Sequence, residues 1–84
     1  MADVLIYTTP WCPYCVRAKH LLKSKGASFE DINVNGQPDL RQQMEIRSGA
    51  HTVPQIWIGE THVGGCDELY ALERAGKLDG LLAS

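Results

Sequence analysis

The segment Val4–Cys15, VLIYTTPWCPYC, decides how this chain folds. Its first part, Val4-Leu5-Ile6-Tyr7, is apolar and rich in β-branched residues, the pattern of a strand buried on both faces. Thr8-Thr9-Pro10 breaks that run. Pro13 then sits where a helix should open, because proline is favoured at the first helical position, where its missing N–H would be unpaired anyway. Cys12 is thereby placed at the N-cap. Two of the three cysteines, Cys12 and Cys15, stand two residues apart at this strand-to-helix junction.

Working outward, the helix should run from Pro13 to about Lys25. Cys15, Ala18, Leu21 and Leu22 fall on one stripe, while Arg17, His20, Lys23 and Ser24 face away. Gly26 supplies the stop. Ser28 to Val34 reads as a second strand and Asn35-Gly36 as a turn. Pro38 opens a second helix, with Leu40 and Met44 as a thin apolar stripe, ending near Ser48-Gly49. Gln55 to Ile58 and Thr61 to Val63 form a hairpin across Gly59-Glu60. Asp67 to Ala75 is a third helix with Leu69 and Leu72 inward, stopped by Gly76. Leu78, Leu81 and Leu82 add a last short helical turn or two. The order βαβ-α-ββα is that of an α/β domain. A right-handed crossover joins its first two, parallel strands, and the hairpin makes the four-stranded sheet mixed.

At 84 residues a single domain, 1–84, is expected. The formal net charge of -2 gives no reason to expect nucleic acid or an acidic membrane as partner. Apolar runs of only a few residues exclude a membrane-spanning helix. Residues 1–8 carry an acid and no basic cluster, which is not the pattern of a signal peptide. A cytoplasmic location is the expectation, and there paired cysteines are metal-binding or catalytic more than structural.

Three uses of the two thiols compete: half of a zinc site, a structural disulfide, or a redox pair. Zinc wants about four ligands, and only Cys66 and the scattered His20, His51 and His62 remain, so no metal is expected. The redox reading has a physical basis. At the N-cap the Cys12 sulfur faces free backbone N–H groups near Tyr14 and Cys15 and the positive end of the helix dipole. Both favour thiolate over thiol. Cys15 lies on the same face one turn inward, placed to resolve a mixed disulfide formed by Cys12.

In this βαβ context CPYC resembles the active site of glutaredoxins. TTPWCPYC (8–15), TVPQIWIG (52–59) and GGCDEL (64–69) carry the resemblance in that order, over nearly the whole chain. It implies a thioredoxin fold and glutathione as cofactor. It also implies two reactions, reduction of protein disulfides and removal of glutathione from glutathionylated proteins, with ribonucleotide reductase among the possible partners. It implies a cis bond between Val53 and Pro54, beside which an extended peptide could pair as if adding a strand. The implied glutathione site comprises Tyr14, Arg41, Thr52, Val53, Pro54, Gly65, Cys66 and Asp67. Asp67 would meet the glutathione amino group and could also cap the third helix. Gly64-Gly65 would let backbone approach a ligand closely.

The chain departs from the family at Thr9, where many members have a lysine for the glycyl carboxylate; Arg41 could take more of that load. Trp11 should be an exposed wall for partners. Arg17, Lys19, Lys23 and Lys25 are either a solvated face or a dock for an acidic protein. Cys66, at a helix start, is either packing filler or a modifiable thiol whose pKa the helix dipole could lower. A monomer is expected. Two rivals stand beside the leading reading. One is a dimer holding a [2Fe–2S] cluster through the first cysteine and glutathione, against which Pro13 speaks, because cluster-binding relatives usually carry Ser or Gly there. The other is a thioredoxin-like protein reduced by a flavoenzyme, against which CPYC and GGCDEL speak.

Overall fold

A computed structural model describes residues 2–83. Eight elements follow one another: β1 (Val4–Thr8), α1 (Pro13–Ser24), β2 (Phe29–Asn33), α2 (Pro38–Ser48), β3 (Gln55–Ile58), β4 (Thr61–Gly64), α3 (Cys66–Arg74) and α4 (Leu78–Ala83). The second strand is shorter than the sequence suggests. Ser28 stays outside it, and Val34, though buried, follows its last residue.

The sheet has the order β2-β1-β3-β4. β1 runs parallel to β2, with Val4 opposite Phe29, and antiparallel to β3, with Val4 opposite Ile58. β3 and β4 form the hairpin. Mixed pairing with helices on both faces is the thioredoxin fold.

Alternation along the strands sorts the core into two halves. Val4 and Ile6 of β1 and Ile56 and Ile58 of β3 point to one face. There they pack with Ala18, Leu21 and Leu22 of α1, Leu69 of α3, and Leu78 and Leu82 of α4. Tyr7 and Trp57, one residue out of phase, point to the other face and pack with Val34 and Met44. The first face is covered by three helices and the second by α2, which explains why α2 has so thin an apolar stripe. Burial of a large aliphatic side chain such as Leu22 or Ile56 is worth roughly 1.5–3 kcal/mol, so the three-helix face carries most of the hydrophobic stabilisation.

α1 ends as its composition dictates. Lys25 N–H bonds back to Leu21 and Leu22, and Gly26 follows at φ +70°. The Lys25 ammonium then ties the helix to its neighbours, 2.7 Å from Glu73 and 2.9 Å from Asp79. In open α/β sheets sites form at the carboxyl ends of strands, and the loop from Thr9 to Cys12 leaves β1 at that end.

Candidate active site

Cys12 occupies the N-cap of α1, with Pro13 next to it in the first turn. Its backbone is extended, at φ -94° and ψ 110°, and its carbonyl accepts from Val16 N–H at 3.1 Å. The Cys15 N–H donates to the Cys12 sulfur at 3.2 Å. This is the contact of a capping acceptor, and it strengthens when the sulfur is negative. Opposite, the sulfur lies 3.7 Å from the Val53 carbonyl, an acceptor only the thiol form can satisfy. Cys12 is half-buried, Cys15 and Cys66 are buried, and all three are free.

Cys15 has no exposure at all. Burial, and secondarily the adjacent Cys12 sulfur, push its thiol up to about 12, against smaller opposing help from the Thr9 backbone and the Lys19 charge. The two thiols of one motif are therefore unlike: one is presented to solvent, the other is kept protonated beneath it. Lys19, one turn beyond Cys15, pairs with Asp31 at 2.9 Å, and Asp31 also accepts from the hydroxyl of buried Thr8.

Beside Cys12 runs a groove of about 180 Å³ lined by Tyr14, Thr52, Val53, Pro54, Gly65, Cys66, Asp67 and Glu68. The Val53–Pro54 peptide is cis. Seven of the eight residues expected around glutathione thus meet at one groove. Arg41 is not in its lining. Its guanidinium donates to the His51 carbonyl at 3.0 Å, next to Thr52, which braces the loop from outside.

Two expectations are corrected. Asp67 does not cap α3: the helix starts at Cys66 with Gly65 as N-cap, and the Glu68 carboxylate accepts from Gly65 N–H at 2.7 Å. Asp67 stays exposed in the first turn. Nor is the Cys66 thiol lowered. Burial in the core raises that thiol, outweighing the nearby Arg17 cation. The glycines also serve the protein itself. A Cβ at Gly64, where φ is +111°, would stand 3.0 Å from the Glu68 carboxylate, and one at Gly65 would meet the Pro54 carbonyl at 3.4 Å.

The aromatic flank is as expected, with Trp11 80% and Tyr14 53% exposed. The basic residues of α1 and its C-cap are mostly engaged within the molecule: Lys19 with Asp31, Lys25 with Glu73 and Asp79, and Arg17 over the Tyr70 ring at 5.9 Å. Sequence reasoning missed Glu68, although Gly65-x-x-Glu68 has capping-box spacing that could have revealed it. It also missed Gln55, His62, Thr8 and Asp31 as polar supports, for which the sequence holds no local signal.

A thioredoxin fold with a half-exposed N-cap cysteine and a buried second thiol one turn on defines the thiol–disulfide oxidoreductases. Comparison with known proteins narrows the class. The glutaredoxin family model matches residues 4–63. The chain is 63% identical over 84 residues to a glutaredoxin of Pseudomonas aeruginosa, spanning all of both chains. It is 56% identical over 82 residues to glutaredoxin 3 of Escherichia coli K12, covering 98% of this chain and 99% of that one. Among solved structures it resembles a glutaredoxin from Brucella melitensis (TM-score 0.87, 62% identity, 98% of this chain and 89% of that one). It also resembles a buckwheat glutaredoxin–glutathione complex (TM-score 0.88, 31% identity, 95% and 76%). The chain belongs to the glutaredoxin family and is of the bacterial type.

Proposed function

We propose that the chain uses glutathione to reduce protein disulfides and glutathione mixed disulfides, with Cys12 as nucleophile and Cys15 as resolving thiol. The observation that carries this reading is the Cys12 sulfur at the N-cap, held by Cys15 N–H and opening onto the Tyr14–Thr52–Asp67 groove. The buckwheat relative, described as a glutathione complex, supports the choice of thiol.

In the monothiol route the Cys12 thiolate attacks the glutathione sulfur of a mixed disulfide. A Cys12–glutathione bond forms, the protein–glutathione bond breaks, and the departing protein thiolate takes a proton from water. A second glutathione thiolate then attacks the bound glutathione sulfur, releasing glutathione disulfide and restoring the Cys12 thiolate. In the dithiol route Cys12 opens a protein disulfide and becomes bonded to one of its sulfurs. Cys15 loses its proton and attacks the Cys12 sulfur, freeing the second protein thiolate and leaving a Cys12–Cys15 disulfide. Two glutathiones reduce that bond and leave as glutathione disulfide.

The unlike environments fit this order. While Cys12 is a free thiolate, its charge helps keep Cys15 protonated. Once Cys12 is in a mixed disulfide that charge is gone, and the resolving thiol ionises more readily. The groove backbone at Val53 would pair with the extended tripeptide, with Gly65, Cys66 and Asp67 receiving its γ-glutamyl end and Arg41 its glycyl carboxylate. The partners are glutathionylated or disulfide-containing proteins. The chain acts as one monomeric domain in the cytoplasm, where glutathione is kept reduced. No helix of the described residues is long and apolar enough to cross a membrane.

The test couples the protein to glutathione, glutathione reductase and NADPH, with a small glutathione mixed disulfide as substrate. Saturable NADPH oxidation is expected. Absence of turnover with glutathione, alongside reduction by a thioredoxin-type flavoenzyme, would overturn the proposal.

A further inference from the structure

Gln55 is 3% exposed, yet it carries a polar amide, held against Thr52 of the groove lining. Its amide nitrogen donates to the Thr52 carbonyl at 3.1 Å and to the Thr52 hydroxyl oxygen at 3.2 Å. Its amide oxygen lies 2.8 Å from His62 Nε2. His62, on β4, stacks on Trp57 with ring centroids 4.7 Å apart. A chain of hydrogen bonds thus runs from an edge strand, through a buried amide, to a residue lining the groove.

Donor and acceptor roles in this chain are fixed by one group. A backbone carbonyl can only accept. The amide nitrogen of Gln55 must therefore face Thr52, and its oxygen must face His62. That oxygen can only accept, so His62 Nε2 carries the hydrogen. At the other end, the two N–H groups of the amide are spent on the two Thr52 oxygens. The Thr52 hydroxyl thus accepts from inside, and its own O–H is left to donate elsewhere. Thr52 is exposed and borders the groove, and among the described residues this O–H meets no acceptor.

We infer that His62 and Gln55 are positioning residues that preset Thr52 as a hydrogen-bond donor to an acceptor oxygen of the thiol peptide bound in the groove. The inference rests on the glutathione reading above and deepens it: the groove selects for a ligand oxygen at Thr52, beyond recognising the thiol. Gln55 acts twice, by orienting the hydroxyl and by holding the carbonyl of the residue before Val53, whose own carbonyl faces the Cys12 sulfur.

The test has two parts. In the first, glutathione KM and kcat are measured for wild type, Thr52→Val, Thr52→Ser, His62→Phe and the double variant Thr52→Val/His62→Phe. Thr52→Val removes the donor at nearly constant shape and should raise KM roughly twofold to tenfold, the effect of one net hydrogen bond, with little change in kcat. Thr52→Ser should restore it. His62→Phe keeps a ring on Trp57 but removes the donor to Gln55. It should raise KM when Thr52 is present and much less when Val stands there, because the effect passes through the hydroxyl. Equal effects of His62→Phe in both backgrounds, or an unchanged KM in Thr52→Val, would overturn the inference. Wild type without glutathione turnover would overturn the function reading and this inference with it. Wild type active with a Thr52-independent KM sinks only the relay. The second part does not depend on variants folding. The 15N shifts of the neutral His62 ring should report hydrogen on Nε2, and hydrogen on Nδ1 would overturn the chain of donors.

Discussion

At the scale of single residues, the two thiols of CPYC differ because burial treats them differently. Cys12→Ser should reduce both activities to background, since Cys15 is buried and protonated and cannot take over. Residual turnover well above the uncatalysed rate, measured in the coupled assay, would contradict the assignment. Cys15→Ser should lose protein-disulfide reduction but keep deglutathionylation, where external glutathione resolves the intermediate; a parallel fall of both would contradict the monothiol route. Cys66 shows where residue-level reading stops. Its place at a helix start was legible, and that alone suggests activation. Its burial against Leu69 and the α1 stripe was not legible, because one small residue at a helix start fits a solvent face or a core face equally well. Burial raises this thiol, so Cys66→Ser should leave kcat nearly unchanged. Any adduct of oxidised glutathione at Cys66 should form only as fast as the local structure opens. Intact-mass spectrometry in wild type and Cys66→Ser checks both, and rapid labelling of native Cys66 would count against its burial.

At the scale of elements, nearly every strand and helix was legible, because each carries its own periodicity and its own stop. The N-cap at Cys12 followed from a single proline, and the turn at Gly59 from its place between two apolar runs. What lay outside the sequence was how elements share surface. α2 reads as a weak helix with two apolar positions, and only the fold shows why two suffice: it covers the smaller face of the sheet through Met44 and Leu40. The Lys19–Asp31 pair joins α1 to β2 across 12 residues of sequence, and no local pattern marks it. The bracing role of Arg41 is also an inter-element property. It ties α2 to the His51 carbonyl ahead of the groove loop, and under the proposed function its remaining donors would meet the glycyl carboxylate of glutathione. Arg41→Ala should raise glutathione KM more than it lowers kcat. A charge-assisted bond at a partly exposed site is worth less than the roughly 1.5–3 kcal/mol of a well-formed one, so a several-fold change is expected. An unchanged KM in the coupled assay would leave Arg41 as a loop brace only.

At the scale of the whole molecule, redox chemistry and folding stability meet in Cys15. Its thiol sits among core groups and beside Cys12, and its pKa in the folded protein is about 12 against an ordinary value of 9.0. The sign of the linkage follows. Below about pH 9 both folded and unfolded chains hold this proton, and Cys15 adds no pH dependence. Above it the unfolded chain loses the proton first, so the unfolded state binds fewer protons than the folded one. Stability must then fall as pH rises, by up to about 1.4 kcal/mol per pH unit, until the folded thiol itself ionises. Lysines, tyrosines and buried Cys66 titrate over the same range, so the effect has to be read as a difference. Under reducing conditions, urea midpoints of wild type and Cys15→Ser should run parallel from about pH 7 to 8.5 and diverge above about pH 9, with wild type declining more steeply. Serine does not ionise there, and contributions common to both proteins cancel. The same burial that keeps Cys15 protonated therefore appears as an alkaline instability of the reduced protein. Parallel lines to about pH 11 would mean that the folded state does not hold the Cys15 proton, and the division of labour between the two thiols would need another cause.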